Sequence, residues 1–471
     1  MSFKKAFVKN LFILGGFTYL TQIIGFLSSL VTARLLTPES FGLVGLITVF
    51  SGFISIFSDG GISIAIIRFD YGEAYYRSLH TLAMYVGICL CFIMLALSYP
   101  ISIFYNNNDL ILPGIAIGLL FVIRSQNIVP SSILKKQLAF SDLGAIALYS
   151  SIGGIVTTII MAYYGFDYWS LIGSQYVTAI MTTVLTHRRL PFPNSFASFV
   201  AVKDAFLTAK SLIGNLLSFG ILSYWCRNLD NMLVGKFYGV SELGIYNRAY
   251  SLLTIPLGLI TGLFSSVLYP SLVDVKKKGG NVLDEYYFIL KVISIINIPI
   301  GMILILFPIP FVEILWGNRW GQVAELLPYF GILVLTQTAL STVGSFLILE
   351  GKERVLMQSG WVGVFTLMVG IVYGALISIK AVAAFYALSH ILLNLTFNMI
   401  YVYYKTLNHS LRIVLTFWLP KIILSLLIWV AVYWNIKLMI YTGVVLWLLM
   451  IILDCHKEVR RIYQYASNFL R

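Results

Sequence analysis

The sequence predicts an all-α polytopic membrane protein of about 14 transmembrane helices. They read as two six-helix bundles related by a pseudo-two-fold axis along the membrane normal, plus two C-terminal helices. Three observations carry this. Of 471 residues, 59% are hydrophobic and only 11% are charged, against ~25% charged in soluble domains, and mean hydropathy is +0.89. The apolar runs are long and unbroken, unlike the ~10-residue alternating strands of a β-barrel. The basic residues also alternate between the two sets of connections. A soluble globule, a disordered chain and a disulfide scaffold are excluded. Fourteen helices of ~20 residues use about 300 residues and leave ~170 for connections, so no large extramembrane domain fits.

The first span, 11–31, follows Lys4, Lys5 and Lys9. It is longer than the 7–15-residue core of a secretory signal, and Val31-Thr32-Ala33 is a poor cleavage site, so it reads as an uncleaved helix. Further spans fall at 42–62, 79–102, 112–134, 143–164 and 168–186. The second half continues with 211–234, 243–266, 287–308, 324–348, 355–378, 381–404, 412–434 and 437–453. Gly15-Gly16, Gly153-Gly154, Pro256, Pro299 and Pro420 interrupt spans, which bundled membrane helices tolerate because neighbours re-satisfy the freed backbone groups.

Orientation follows from Lys and Arg. The N-terminus, the even-numbered connections and the tail carry 22 basic residues, the odd-numbered connections 5 (Arg34, Lys236, Arg319, Lys380, Lys437). The positive-inside rule then puts both termini in the cytoplasm. The formal charge of +13 divides into +11 on the cytoplasmic side, −1 on the outer side and +3 in the spans. Most of the excess is orientation signal rather than a nucleic-acid footprint.

The longest connection, 187–210, separates an N-terminal bundle, 1–186, from a C-terminal bundle, 211–405, with spans 13–14 and the tail at 406–471. Two echoes suggest duplication. Arg34-Leu35-Leu36-Thr37-Pro38-Glu39-Ser40-Phe41-Gly42 is matched at an offset of 202 by Lys236-Phe237-Tyr238-Gly239-Val240-Ser241-Glu242-Leu243-Gly244. Ser132-Ile133-Leu134-Lys135-Lys136 is echoed by Leu347-Ile348-Leu349-Glu350-Gly351-Lys352. Six spans per copy give both copies the same topology, with a substrate path at their interface.

Charges inside the spans are the candidate site, because an ionised side chain at mid-bilayer costs at least ~2.5–3.5 kcal/mol and faces a cavity or a partner. They are Arg124, Arg227, Arg248, Lys291 and Lys421, with the acids Asp59 and Asp230. Lys291 sits near a cytoplasmic end and can snorkel. Asp59, beside Gly60-Gly61, is open between a proton or cation site and a partner for freed backbone groups. Arg227 and Asp230 are three apart on one helix face, open between an ion pair and a functional site. Arg124 and Arg248 have no acid within a turn, and Lys421 follows Pro420. A guanidinium presents a planar five-donor fork suited to phosphate or carboxylate, so Arg124, Arg248, Arg227 and Lys421 are the candidate anion-binding residues. Asp230 and Asp59 are the candidates for ion pairing or for proton or sodium coupling. Cys89 and Cys91 point about 200° apart on a helix, and with Cys226 and Cys455 they read as buried apolar residues. The histidines His80, His187, His390, His409 and His456 form no ligand set. His390 alone is mid-span and reads as a packing residue. No metal or cofactor is expected.

The architecture and several local runs resemble the polysaccharide-transporter branch of the MOP superfamily of flippases, the Wzx-type exporters, in the subgroup of colanic- and teichuronic-acid exporters. The runs are Ala33–Gly42, Leu134–Phe140 and, most specific, Arg227-Asn228-Leu229-Asp230-Asn231-Met232-Leu233-Val234-Gly235-Lys236, continuing through Leu243–Tyr250 to Pro256. The resemblance covers most of 1–405. It implies transfer of an undecaprenyl-diphosphate-linked oligosaccharide from the cytoplasmic to the periplasmic leaflet of the bacterial inner membrane, by rocking of the two bundles around a cationic cavity. Arg248 would hold the anionic head group, with Arg227 and Arg124 next, and spans 13–14 would offer a groove for the lipid tail. A polysaccharide polymerase and other assembly proteins are implied partners, nucleic acid is not, and the activity is transport rather than catalysis. Unlike the related lipid II flippases, span 1 has a base only at its outer end, Arg34. Two other classes compete. A cation-coupled multidrug efflux pump needs membrane acids, of which only Asp59 and Asp230 exist. A membrane polymerase, ligase or acyltransferase needs a large outer loop with converging catalytic groups.

Overall fold

A computed structural model describes residues 3–59, 61–68, 72–190 and 196–469. Residues 191–195 of the expected linker, and the side chains of Cys226, Cys455 and His456, lie outside the described residues. The described chain is helical throughout and holds no β-strand.

The helices are α1 Phe3–Leu35, α2 Pro38–Asp59, α3 Ile62–Arg68, α4 Glu73–Tyr105, α5 Ile111–Ser125, α6 Ile128–Lys136, α7 Phe140–Tyr163, α8 Trp169–Arg189 and α9 Phe199–Tyr238. There follow α10 Val240–Lys277, α11 Val282–Leu306, α12 Pro308–Trp316, α13 Val323–Leu340, α14 Val343–Leu349, α15 Glu353–Ala375, α16 Ile379–Ser389, α17 Leu411–Tyr433 and α18 Lys437–Phe469. Beyond α16 the same rod winds as π-helix over His390–Leu395 and Asn398–Thr406. Nine of the described helices are long and apolar enough to cross a membrane, and the protein is a multi-pass membrane protein. The chain divides into two compact units, Met1–Gly244 and Ile245–Arg471.

In the first unit, glycines set the helix spacing. A Cβ on Gly144 of α7 would stand 2.5 Å from the Phe17 ring of α1, and one on Gly173 of α8 would stand 2.5 Å from Met161 Sδ of α7. Gly87 and Gly114 bring α4 and α5 together, meeting Ser125 and Ser98 at 2.5 and 2.6 Å. Membrane helices gain no hydrophobic drive from lipid, so close backbone approach over small residues holds them together.

Asp59, at the end of α2, holds the start of α3. Its Oδ1 accepts the Ser63 N–H at 3.0 Å and the Ser63 hydroxyl at 2.7 Å. Ser132 on α6 donates to the Ser63 hydroxyl at 2.8 Å. The Asp59 carboxylate thus accepts an N–H of the first turn of α3, one of the orphan donors of a helix start. Lys136 then ties α6 to its neighbours, donating to the Ile66 carbonyl at 3.0 Å and the Tyr76 hydroxyl at 2.8 Å. Ile62, Ile66, Leu79, Ala83, Val129, Ile133 and Ala205 close an apolar core beneath these contacts.

The fourth span is not continuous: it stops at Ser125 and restarts at Ile128. In the second unit, the span at 324–348 breaks in the same manner between Leu340 and Val343. α6 carries the first echoed run, and the second begins in the last turn of α14 and continues past its end.

His409 sits in the turn before α17, 4% exposed, hydrogen-bonded to the Tyr287 hydroxyl through Nδ1 at 3.3 Å. Burial first, then the Lys352 charge, push its imidazole down to about 4, against a smaller opposing pull from Glu350. A folded value below the unfolded ~6.5 means that the unfolded chain binds the proton first. Stability should therefore be full above pH ~6.5 and fall by up to about 3 kcal/mol as pH drops towards 4. His409→Phe should flatten this acid loss, read as the melting temperature of detergent-solubilised protein between pH 4.5 and 7.5.

Candidate anion-binding site

In the first unit α5 ends at Arg124 and Ser125 before the break, which leaves the guanidinium at the side of the bundle facing α8. It donates to Gln175 Oε1 at 3.0 Å. Around this pair lies a pocket of about 280 Å³ lined by Arg124, Asn127, Ser174, Gln175, Thr178 and Thr183, among others. Helix α8 supplies the wall because hydroxyls recur at i and i+4 along one face, Ser174, Thr178 and Thr182, with Gln175 and Thr183 beside them. Two anchors fix α8 on α5: the Tyr176 hydroxyl donates to the Ala116 carbonyl at 2.5 Å, and Thr183 donates to the Ile123 carbonyl at 3.4 Å. The volume is just below the ~300–1,000 Å³ of sites for drug-sized ligands. It suits one charged or hydroxyl-bearing group of a larger molecule. One permanent cation with neutral donors and acceptors, and no carboxylate in the lining, selects an anion.

The other candidates sit elsewhere. Asp230 on α9 is buried, and its carboxylate accepts the Asn231 N–H at 2.8 Å, whereas Arg227 is exposed. Arg227 is not part of the Arg124 pocket lining. In the second unit the Arg248 guanidinium lies over two indoles, 5.7 Å from the Trp316 ring and 5.4 Å from Trp320. Both tryptophans are fully buried, and a desolvated cation–π contact of this kind contributes about 2 kcal/mol. Arg248 thus has a fixed orientation set by α12 and the turn after it. Lys421 is buried at 2% exposure, donating to the Phe417 carbonyl at 2.8 Å with its ammonium over the Phe417 ring.

Sequence reasoning missed Gln175 and the hydroxyl face of α8. The signal was available, since polar side chains at four-residue spacing inside a span mark a face turned away from lipid. The tryptophan partners of Arg248 lie about 70 positions downstream and left no local signal.

Residues 31–325 match the polysaccharide biosynthesis protein family, and the chain belongs to that family. It is 24% identical over 364 residues to the lipopolysaccharide biosynthesis protein WzxC of Escherichia coli (strain K12), covering 74% of this chain and 71% of the relative. It is 25% identical over 305 residues to the teichuronic acid biosynthesis protein TuaB of Bacillus subtilis (strain 168), covering 64% of this chain and 62% of the relative. Among solved structures it superposes on the lipid II flippase MurJ in its inward closed conformation with a TM-score of 0.67, at 14% identity over 95% of this chain and 99% of that one. An inward-facing multidrug resistance MATE family transporter of the MOP superfamily gives 0.57, at 14% identity over 77% and 90%. The fold is of the MurJ and MATE type.

Proposed function

We propose that the protein is a flippase that carries undecaprenyl-diphosphate-linked oligosaccharide repeat units from the cytoplasmic to the periplasmic leaflet by alternating access, for surface polysaccharide assembly. The observation that carries this reading is the Arg124 pocket: a guanidinium within the first bundle, walled by amide and hydroxyl groups and lacking carboxylates. Such a pocket fits a diphosphate oxygen or a sugar hydroxyl and disfavours a cationic drug. Asp59, which an efflux pump would need as a coupling acid, is engaged in capping α3. Transport lowers the barrier to dragging a polar head through hydrocarbon and makes or breaks no covalent bond.

In this reading the fourteen spans form two six-helix bundles, 1–186 and 211–405, joined by 187–210, with the last two spans at 406–471. Duplication is supported by the matching breaks of the fourth span in each half and by the echoed motifs. The inner membrane is the location, both termini are cytoplasmic, as the 22-to-5 split of basic residues requires, and a polysaccharide polymerase is a partner.

The test is deletion of the gene in its own host. Surface polysaccharide should disappear while lipid-linked repeat units accumulate on the cytoplasmic leaflet, measured by glycan labelling of intact cells against everted vesicles. Unchanged polysaccharide, or accumulation on the outer leaflet, would sink the reading.

A further inference from the structure

Across α15 and the π-helical rod runs a chain of hydrogen-bonded polar side chains in the apolar interior of the second unit. The Ser359 hydroxyl donates to Asn398 Oδ1 at 2.6 Å, Asn398 Nδ2 donates to Asn394 Oδ1 at 2.9 Å, and Asn394 Nδ2 meets His390 Nδ1 at 3.3 Å. With Asn394 donating into Nδ1, the ring proton is on Nε2. That atom is buried and has no hydrogen-bond partner, and His390 is 0% exposed. A buried donor left without an acceptor carries its full desolvation cost. Neighbouring helices carry more such groups: both amide atoms of Asn297 on α11, Gln337 Oε1 on α13 and Ser425 Oγ on α17 are buried without partners. Ser425 stands one turn before Trp429, whose indole donates to the Ala384 carbonyl at 2.7 Å and so turns this side of α17 towards α16. π-helical winding, present here over His390–Leu395, is rare and is frequently found at functional sites.

We propose that His390 is the proton-binding group of this transporter, and that Asn394, Asn398 and Ser359 form a reversible relay that admits the charge. The inference rests on the transporter reading above. A proton from water on the open side adds to the Nδ1 lone pair, forming an N–H bond. Asn394 then turns its amide so that Oδ1 accepts from Nδ1 and Nδ2 donates to Asn398 Oδ1. Asn398 turns likewise, presenting Nδ2 to the Ser359 oxygen. Amides and hydroxyls both give and take hydrogen bonds, so each member keeps a partner along the chain. The loss is the bond from Asn398 Nδ2 to the Asn394 carbonyl, 2.9 Å. Gly363 on α15 provides the room, since a Cβ there would stand 3.2 Å from Asn394 Oδ1. The Nε2–H of the imidazolium gains a hydrogen-bond acceptor only where that atom reaches water. Proton binding therefore favours the conformation that opens this face, which is the differential affinity coupling requires.

The buried titratable side chains on the elements packed against His390–Leu395 are Tyr329 on α13, Tyr386 on α16 and Lys421 on α17, with Tyr403 further along the rod. Among these, His390 is the group whose ordinary titration falls between pH 5 and 8.

The test needs no cargo. Single cysteines are placed at the inner and outer ends of the second unit in the full-length protein, in membrane vesicles. The ratio of their alkylation by an impermeant maleimide is followed from pH 5.5 to 8.0. The wild-type ratio should change at least threefold over this range, and His390→Gln should be flat. Asn394→Ala, Asn398→Ala and Ser359→Ala should keep the response with a shifted midpoint. A flat wild type, or a wild-type response in His390→Gln, overturns the proposal. Should His390→Gln not reach the membrane, three relay variants with the wild-type midpoint overturn it instead. Failure of the flippase reading shows separately, as polysaccharide that survives deletion of the gene.

Discussion

Arg124→Ala should reduce export of surface polysaccharide about 10- to 150-fold while the protein remains in the membrane at normal level. The magnitude is that of one hydrogen bond to a charged group, about 1.5–3 kcal/mol. The prediction distinguishes binding from folding because Arg124 is exposed in the bundle and makes its hydrogen bond to Gln175, a neutral side chain. Removing it leaves no buried charge behind. Arg124→Lys should recover part of the loss, since an ammonium keeps the charge but lacks the planar fork. Gln175→Leu should weaken export several-fold by freeing the guanidinium to other rotamers. The contrast is Arg248→Ala, which empties a site between two buried indoles. There export should fall together with the amount of folded protein, and Arg248→Lys should restore both by keeping a cation over the rings. Export by Arg124→Ala within twofold of wild type would remove the pocket from the mechanism.

How much of this was legible follows from the range of each interaction. Spans and their ends are written locally, in apolar runs and in the lysines and arginines that flank them. The Gly60-Gly61 pair announced an interruption, and the carboxylate next to it accepts the Ser63 N–H at the start of α3. Arg124 was legible as a lone cation, because its sequence neighbours are Ser125, Gln126 and Asn127 and contain no acid. What surrounds it was not legible, since Gln175 comes from a helix 51 residues later. The Trp316 and Trp320 rings under Arg248 belong to the same class of non-local contact. So does the burial of Lys421, whose charge is met by a carbonyl and a ring of its own helix, a geometry that depends on rotamer and on packing by other spans. The π-helical winding after Ser389 has no composition signal, because the run His390–Thr406 differs little from an ordinary apolar helix. His390 therefore read as a packing residue, and only its unpartnered nitrogen distinguishes it.

The echoed motifs carry the second large prediction, because their glycines touch. A Cβ on Gly42 would overlap the Val240 carbonyl, lying 2.7 Å from its carbon and 3.1 Å from the Gly244 nitrogen. A Cβ on Gly244 would overlap the Pro38 carbonyl, lying 2.7 Å from its carbon and 3.1 Å from the Gly42 nitrogen. Pro38 and Val240, like Gly42 and Gly244, are 202 positions apart. Each glycine thus meets the backbone of the residue four positions before the other, so the two contacts are reciprocal. The obstacle is backbone on both sides, so neither partner can rotate away. Gly42→Ala and Gly244→Ala should each cost more than the ~1–3 kcal/mol of ordinary overpacking, seen as loss of monodisperse protein and of export. Gly25→Ala and Gly360→Ala, where nothing stands within 4 Å of the added carbon, should be neutral or stabilising by about 0.5–1 kcal/mol, as alanine is in a helix. Reciprocity adds a stricter demand. Once one alanine has forced the helix starts apart, the second meets less resistance, so the double variant should cost clearly less than the two singles together. Additive losses would mean that the two glycines serve separate contacts, and the symmetric reading of the motif would fall with them.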